Sequence, residues 1–162
     1  HSFPTRRSSD LSIQIVNNNI KNFSFKNIDN INLDQCLPFL DDHLKPFFKA
    51  AVGNYKITIE AKNEFKKGKL NVKKIADLMN MHHSFLKNDL NITTPEIDKM
   101  IDIAIGNGAI GSKIVGSGGG GSIVCLSDNE SCSRQILEEL IKFGAKKAFI
   151  ANIGKGPRIS YE

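Results

Sequence analysis

The stretch GAIGSKIVGSGGGGSIVCL, residues 108–126, carries the strongest structural pattern in this sequence. Its glycine-rich segment, 116–121, is flanked by two short apolar runs, 113–115 and 122–126, with the composition of β-strands. Glycine adopts positive φ without steric cost and allows close approach of the backbone to another group, because it has no Cβ. The pattern predicts two strands joined by a tight glycine loop.

Helices are predicted on both sides of this loop. Thr94 before Pro95 is a helix-start pattern, since Thr caps free backbone N–H groups and proline at the first helical position has none. This predicts a helix over 95–105, and an apolar stripe before Gly144 predicts another that ends there. Further strands are predicted over 148–153 and 158–161. The order of these elements indicates an α+β fold, with an antiparallel sheet covered on one face by helices.

The N-terminal half carries weaker patterns. Residues 12–25 alternate loosely around an Asn-rich turn, which predicts two short strands. Apolar residues at steps of three and four predict helices over 33–51, 56–67 and 70–86. The opening HSFPTRRSSDL, residues 1–11, has no apolar period and resembles a translated adaptor joined to a shortened reading frame. The expected domain is therefore 12–162, with 1–11 as a non-native leader.

Composition argues against several classes of protein. The net charge of +5 is spread along the chain, and the lysine-rich segment 66–74 has no interleaved aromatic platform, so no nucleic-acid partner is expected. Three cysteines without CxxC spacing favour neither a disulfide framework nor a zinc site, which suits a reducing cytoplasm. No apolar run is long enough to span a membrane, so no membrane partner is expected.

The glycine loop has two interpretations. Backbone N–H groups in a concave glycine turn can face an anion such as phosphate, whereas Gly/Ser composition alone is also typical of a flexible linker. Strand-like runs on both sides favour the first interpretation. The candidate ligand-binding residues are Gly116, Ser117, Gly118, Gly119, Gly120 and Gly121.

Other polar residues carry less specific patterns. Lys113 either reaches a phosphate or faces solvent from its strand, and both alternatives stay open. His82 and His83 are neighbours on a predicted helix, so their side chains point about 100° apart and cannot chelate one metal ion together. Glu96 and Asp98 lie in the first turn of a helix, where the helix dipole stabilises carboxylates.

Three segments resemble the GHMP kinases, the family of galactokinase, homoserine kinase, mevalonate kinase and phosphomevalonate kinase. The loop is similar to the third motif of that family, a run such as GAxGAKxTGAGGGGC before an apolar strand. The matching residues are Gly108, Ala109, Gly111, Lys113, Gly116, Ser117, Gly118, Gly119, Gly120 and Gly121. At the position of Ser117 the family more often has Ala or Gly, and at the position of Ser122 it often has Cys. Segment 77–98 resembles the helix, loop and S/T-P-E-L-D helix start of these kinases. Segment 148–159 resembles their C-terminal strand and its glycine-containing turn.

The resemblance implies a ferredoxin-like C-terminal lobe with extra N-terminal helices, taken from a two-lobed kinase. In that family the main phosphate loop and the catalytic Asp lie in the N-terminal lobe, so no catalytic residue and no metal ligand is assigned here. ATP and Mg²⁺ are expected to bind mainly to that lobe. The expected partners are that lobe and a small-molecule substrate.

The substrate expected from the resemblance is a sugar, as in galactokinases, because segment 77–98 is similar to theirs. The GSGGGG loop lacks the Phe of the typical galactokinase motif, and the all-glycine version is commoner in mevalonate kinases and in sugar kinases outside the main galactokinase group. The alternatives are therefore a mevalonate kinase-like lobe acting on an alcohol, or a free-standing α+β module that binds a small ligand. The chain alone is expected to be inactive.

Overall fold

A computed structural model describes residues 4–25, 27, 32–116 and 118–152 of the chain. In chain order the elements are α1 (Pro4–Asn19), α2 (Leu33–Cys36), α3 (Lys45–Phe65), α4 (Val72–Ser84), α5 (Pro95–Gly106), β1 (Gly111–Val115), β2 (Ser122–Leu126) and α6 (Glu130–Phe143). A 3-10 turn, Leu37–Phe39, follows α2, and a π-helical turn, Phe85–Asp89, extends α4.

Side-chain caps set the starts of the later helices. The Thr94 hydroxyl accepts a hydrogen bond from Ile97 N at 3.3 Å, so α5 begins at the predicted place. Asn71 caps α4 and Asn129 caps α6 in the same way. Gly144 ends α6 with φ of 117°, a conformation that glycine adopts without strain. The predictions of these helices are confirmed.

The sheet is a hairpin of β1 and β2, with α5 packed against both strands and α4 packed against β1. The strands pair antiparallel, from Gly111 opposite Leu126 to Val115 opposite Ser122. Ile114 of β1 is buried against α5, which contributes Ile97 to the same cluster. The α+β fold is confirmed, although helices account for most of the described structure.

Apolar side chains form separate clusters in the two halves of the chain. The N-terminal cluster joins α1, α2 and α3 through buried residues such as Val16, Leu40 and Phe48. The clusters around the sheet join α5 and α6 to both strands. All three cysteines are free thiols. Within the described ranges, no helix has the length and apolar character needed to cross a membrane.

Several N-terminal predictions are wrong. Residues 12–19 belong to α1 rather than to a strand, because Ser12 and Val16, one helical turn apart, are both fully buried. The helix predicted over 33–51 is broken at Leu40, whose backbone is extended. The two helices predicted between residues 33 and 67 are therefore replaced by short α2 and long α3, with a proline in the first turn of α3.

The predictions at the two ends of the chain have different outcomes. Helix α1 begins at Pro4, inside the expected leader, but burial begins only at Ser12, and the domain boundary stays a prediction. Residues 148–152 form no strand in the described part, and Phe149 is 76% exposed. A strand needs a neighbouring backbone to pair with, and the described sheet contains only β1 and β2. The strand predicted over 158–161 lies outside the described residues.

Candidate functional site

The glycine loop closes the β1–β2 hairpin. Five of its glycines have positive φ, between 75° and 126°, a range that residues with a Cβ rarely adopt. These residues are Gly116, Gly118, Gly119, Gly120 and Gly121. Ser117, the remaining candidate ligand-binding residue, lies outside the described residues. Because the loop connects paired strands directly, the interpretation as a flexible linker between separate units is wrong.

One side of the loop is anchored to the segment between the π-helical turn and α5. The Gly119 N–H donates a hydrogen bond to the Ile92 carbonyl oxygen at 2.8 Å. A Cβ on Gly118 would lie 2.6 Å from the same oxygen. The Ile92 N–H in turn donates to Leu86 O at 3.1 Å, which ties this segment to the π-helical turn after α4. The two hydrogen bonds made by the Ile92 backbone therefore fix the position of the glycine loop.

The other side of the loop is open. A Cβ on Gly116, Gly119 or Gly120 would meet no heavy atom within 4 Å. Glycine is favoured at these positions by their positive φ. Space is not the reason, because no described atom would contact a Cβ there. An anchored loop with an open backbone face can lie close to a flat or charged ligand.

Helix α4 holds β1 by a side-chain contact to its outer edge. The Asn80 amide donates to Ile110 O at 3.1 Å and accepts from Ser112 N at 2.9 Å, which copies the pairing of a neighbouring strand. Gly111 permits this close packing, because a Cβ there would lie 2.7 Å from the Ala76 Cα. The strand that leads into the glycine loop is thus fixed against α4.

Three ionisable side chains meet where α4 and its π-helical extension approach α5: buried His83, half-buried Asp98 and exposed Lys87. His83 Nε2 is 3.8 Å from Asp98 Oδ1, and Lys87 Nζ is 3.1 Å from Asp98 Oδ2. Burial lowers the pKa of His83, an effect that the nearby Asp98 carboxylate partly opposes. Among the described residues, neither His83 Nδ1 nor Asp98 Oδ1 has a hydrogen-bond partner. Besides lying in the first turn of α5, the Asp98 carboxylate is therefore paired with Lys87.

The two adjacent histidines have different surroundings, as their spacing predicts. His83 is buried, whereas His82 is half-buried and lines a cavity beside Lys113. Lys113 Nζ donates to Ile114 O at 2.8 Å, and burial lowers the pKa of its ammonium group. Lys113 is therefore half-buried at this cavity, and a contact between its ammonium group and a phosphate stays a prediction.

Sequence reasoning missed the residues that support the loop. Asn80 and Ile92 lie in the segment 77–98, whose resemblance to the kinases was the available pattern, but nothing in their local spacing indicates contacts with the hairpin. Within the described ranges, no group of three His, Cys, Asp or Glu side chains is placed to hold a metal ion.

The chain is similar to known proteins over a range that includes segment 77–98 and the glycine loop. The family model described as "GHMP kinases C terminal" matches residues 65–146, half of the chain. Mevalonate kinase of Methanocaldococcus jannaschii is 43% identical over 65 residues, which cover 40% of this chain and 20% of that protein. Galactokinase of Actinobacillus succinogenes is 36% identical over 85 residues, covering 48% and 22%.

Two longer matches extend into the N-terminal helices. Galactokinase of Fusobacterium nucleatum is 28% identical over 160 residues, 93% of this chain and 40% of that protein. The crystal structure of Lactococcus lactis galactokinase complexed with galactose superposes with a TM-score of 0.66 at 19% identity, over 87% of this chain and 38% of that one. The chain thus spans a fifth to two fifths of the length of these relatives. On the match to the family model, this chain belongs to the GHMP kinase family as a C-terminal domain.

Proposed function

We propose that the chain is the C-terminal lobe of an ATP-dependent kinase that phosphorylates a sugar, with the glycine loop as part of the wall of its active-site cleft. The observation that carries the proposal is the loop itself, anchored at Ile92 and open at Gly116, Gly119 and Gly120. A backbone without Cβ atoms on its open side leaves room for phosphate or substrate to approach closely.

The fit to ATP and Mg²⁺ is partial. The open loop is compatible with a nearby phosphate, but the Gly119 N–H is already used by Ile92 O. Since the described part of the chain offers no cluster of metal ligands, Mg²⁺ would be held by the N-terminal lobe. Enzymatic phosphoryl transfer depends mainly on positioning and charge stabilisation, so a wall without any acid or base can still contribute.

A sugar is the favoured substrate because the galactokinase of F. nucleatum matches along 93% of the chain, including the N-terminal helices. The second candidate is mevalonate or a similar alcohol. Its support is the 43% identity to an archaeal mevalonate kinase over 65 residues, together with the GSGGGG loop.

The test begins with the DNA upstream of residue 12. A PxxxGLGSSA-like run there supports a kinase, whereas an unrelated domain supports a free-standing binding module. The full-length parent is then assayed with galactose, other sugars and mevalonate. Phosphorylation of mevalonate with no activity on any sugar would show that the sugar assignment is wrong.

The role of the loop is tested in the same full-length protein with Gly119→Val. A Cβ at this position meets no described heavy atom within 4 Å, so the activity is expected to fall more than the melting temperature. If turnover and stability decline in proportion, the loop has only a structural role.

A further inference from the structure

A cavity of about 670 Å³ lies between α3, α4 and β1. Its walls include the apolar side chains of Ile57, Leu78 and Met79. Small-molecule sites in proteins typically have volumes of about 300–1,000 Å³ and are mostly apolar, with a few polar groups that orient the ligand. This cavity has the size and lining of such a site.

The ionisable groups that line the cavity are all basic. They are Lys62, Lys66, His82 and Lys113. No described carboxylate lies within ion-pair distance of the three lysines, although their neighbours Lys67 and Lys74 are paired with Glu64 and Glu60. The lining therefore carries positive charge that the described residues do not neutralise.

Lys113 is the most confined of these cations. The residue is half-buried, and the hydrogen bond described for its ammonium group goes to the neutral Ile114 carbonyl. Burying a cation without a counter-charge is unfavourable, as the lowered pKa of Lys113 indicates. An anion in the cavity would relieve this cost, while an apolar tail would cover Leu78 and Met79.

We propose that this cavity binds a free organic anion with one acidic head group and an unbranched apolar tail. The head group lies against Lys113, with Lys62 and Lys66 at the cavity rim, and the tail packs on the α3 and α4 side chains. All the residues that line the proposed site belong to α3, its C-cap Lys66, α4 and β1 of this chain, so ligand binding can be measured without any phosphoryl-transfer assay.

Three probes with the same tail test the proposal on the 162-residue chain: decanoate, decanol and decyltrimethylammonium. Isothermal titration calorimetry should show decanoate binding about tenfold more tightly than decanol, as a charge-assisted hydrogen bond predicts. The cationic probe should not bind. Added salt should weaken the binding of decanoate but not that of decanol.

Lys113→Met removes the ammonium group and keeps an apolar side chain. This variant should lose the preference for decanoate and still bind decanol, which shows that the cavity is intact. The matched control is Lys49→Met, an exposed lysine on α3 outside the cavity lining, which should bind like the wild type.

Four results would each overturn the proposal. They are no decanoate binding, equal binding of all three probes, an unchanged preference in Lys113→Met, and association only with anionic lipid vesicles. The last would indicate a charged membrane surface rather than a free ligand.

Discussion

Neighbouring glycines in the loop differ in what surrounds them, and this difference is testable. Gly118 and Gly119 have similar φ of 88° and 75°, but only at Gly118 does a Cβ collide with Ile92. Gly119→Ala should cost about 1–2 kcal/mol of unfolding free energy, the strain of an L-residue at positive φ. Gly118→Ala should cost about 1–3 kcal/mol more, because the Ile92 backbone must move.

Urea denaturation of the two variants measures this difference, and each serves as the control for the other. Equal losses of stability would mean that Ile92 does not confine the loop. Amide hydrogen exchange provides a second readout, because the Gly119 N–H should lose protection in Gly118→Ala.

Asn80 is the second residue whose role is local and specific. Its amide satisfies Ile110 O and Ser112 N on the outer edge of β1. Asn80→Ala leaves both partly buried backbone groups without these partners, so the free energy of unfolding should fall by about 2–3 kcal/mol.

Asn88→Ala is the matched control for Asn80→Ala. The Asn88 side chain is exposed and bonds only the Ser84 hydroxyl among the described residues, so its loss should change stability by less than about 0.5 kcal/mol. Similar losses in the two variants would contradict the assigned role of Asn80.

Between elements, the junction of α3 and α4 depends on a buried carboxylate. Glu64 near the end of α3 accepts from Lys67 Nζ at 2.6 Å and from the Asn71 N–H at 3.0 Å. These hydrogen bonds hold the pKa of Glu64 below its usual value of 4.5. The carboxylate therefore links the end of one helix to the start of the next.

The lowered pKa of Glu64 has a defined effect on stability. Above pH 4.5 the carboxylate is charged in both states and its contribution is fully present. As the pH falls, the unfolded state takes up the proton first, so this contribution is lost as the pH passes through the folded pKa.

Unfolding free energies of the wild type and Glu64→Gln, measured from pH 7 to pH 3, test this effect. The wild type should be more stable at pH 7, and the difference should shrink in acid. A difference that does not change with pH would show that the charge of Glu64 has no part in the junction.

At the scale of the whole molecule, the isolated chain should have no kinase turnover. It spans a fifth to two fifths of its relatives, and its described residues lack a cluster of metal ligands. Purified protein with ATP, Mg²⁺ and galactose or mevalonate should show no product above the protein-free control. Product that accumulates in proportion to the protein concentration would contradict this expectation.

Local sequence patterns predicted the elements around the hairpin well. Three local patterns each depend on only a few neighbouring residues: the helix start at Thr94 and Pro95, the helix end at Gly144 and the turn at the glycine loop. They can therefore be predicted without knowledge of the tertiary structure. Residues 12–25 were predicted poorly, because α1 is held by the packing of Val16 on α3, a contact between segments distant in the chain.

The sequence by itself determined the α+β hairpin with its helices and the resemblance to the GHMP kinases, since both depend on short-range patterns and motif order. Only the tertiary structure decided which glycine is confined, that Asn80 holds β1, and that Lys113 lies in an apolar cavity. These features arise where segments distant in the chain meet, as Asn80 and Ser112 do across 32 positions. Spacing along the chain carries no direct information about such contacts, because they depend on how the elements pack.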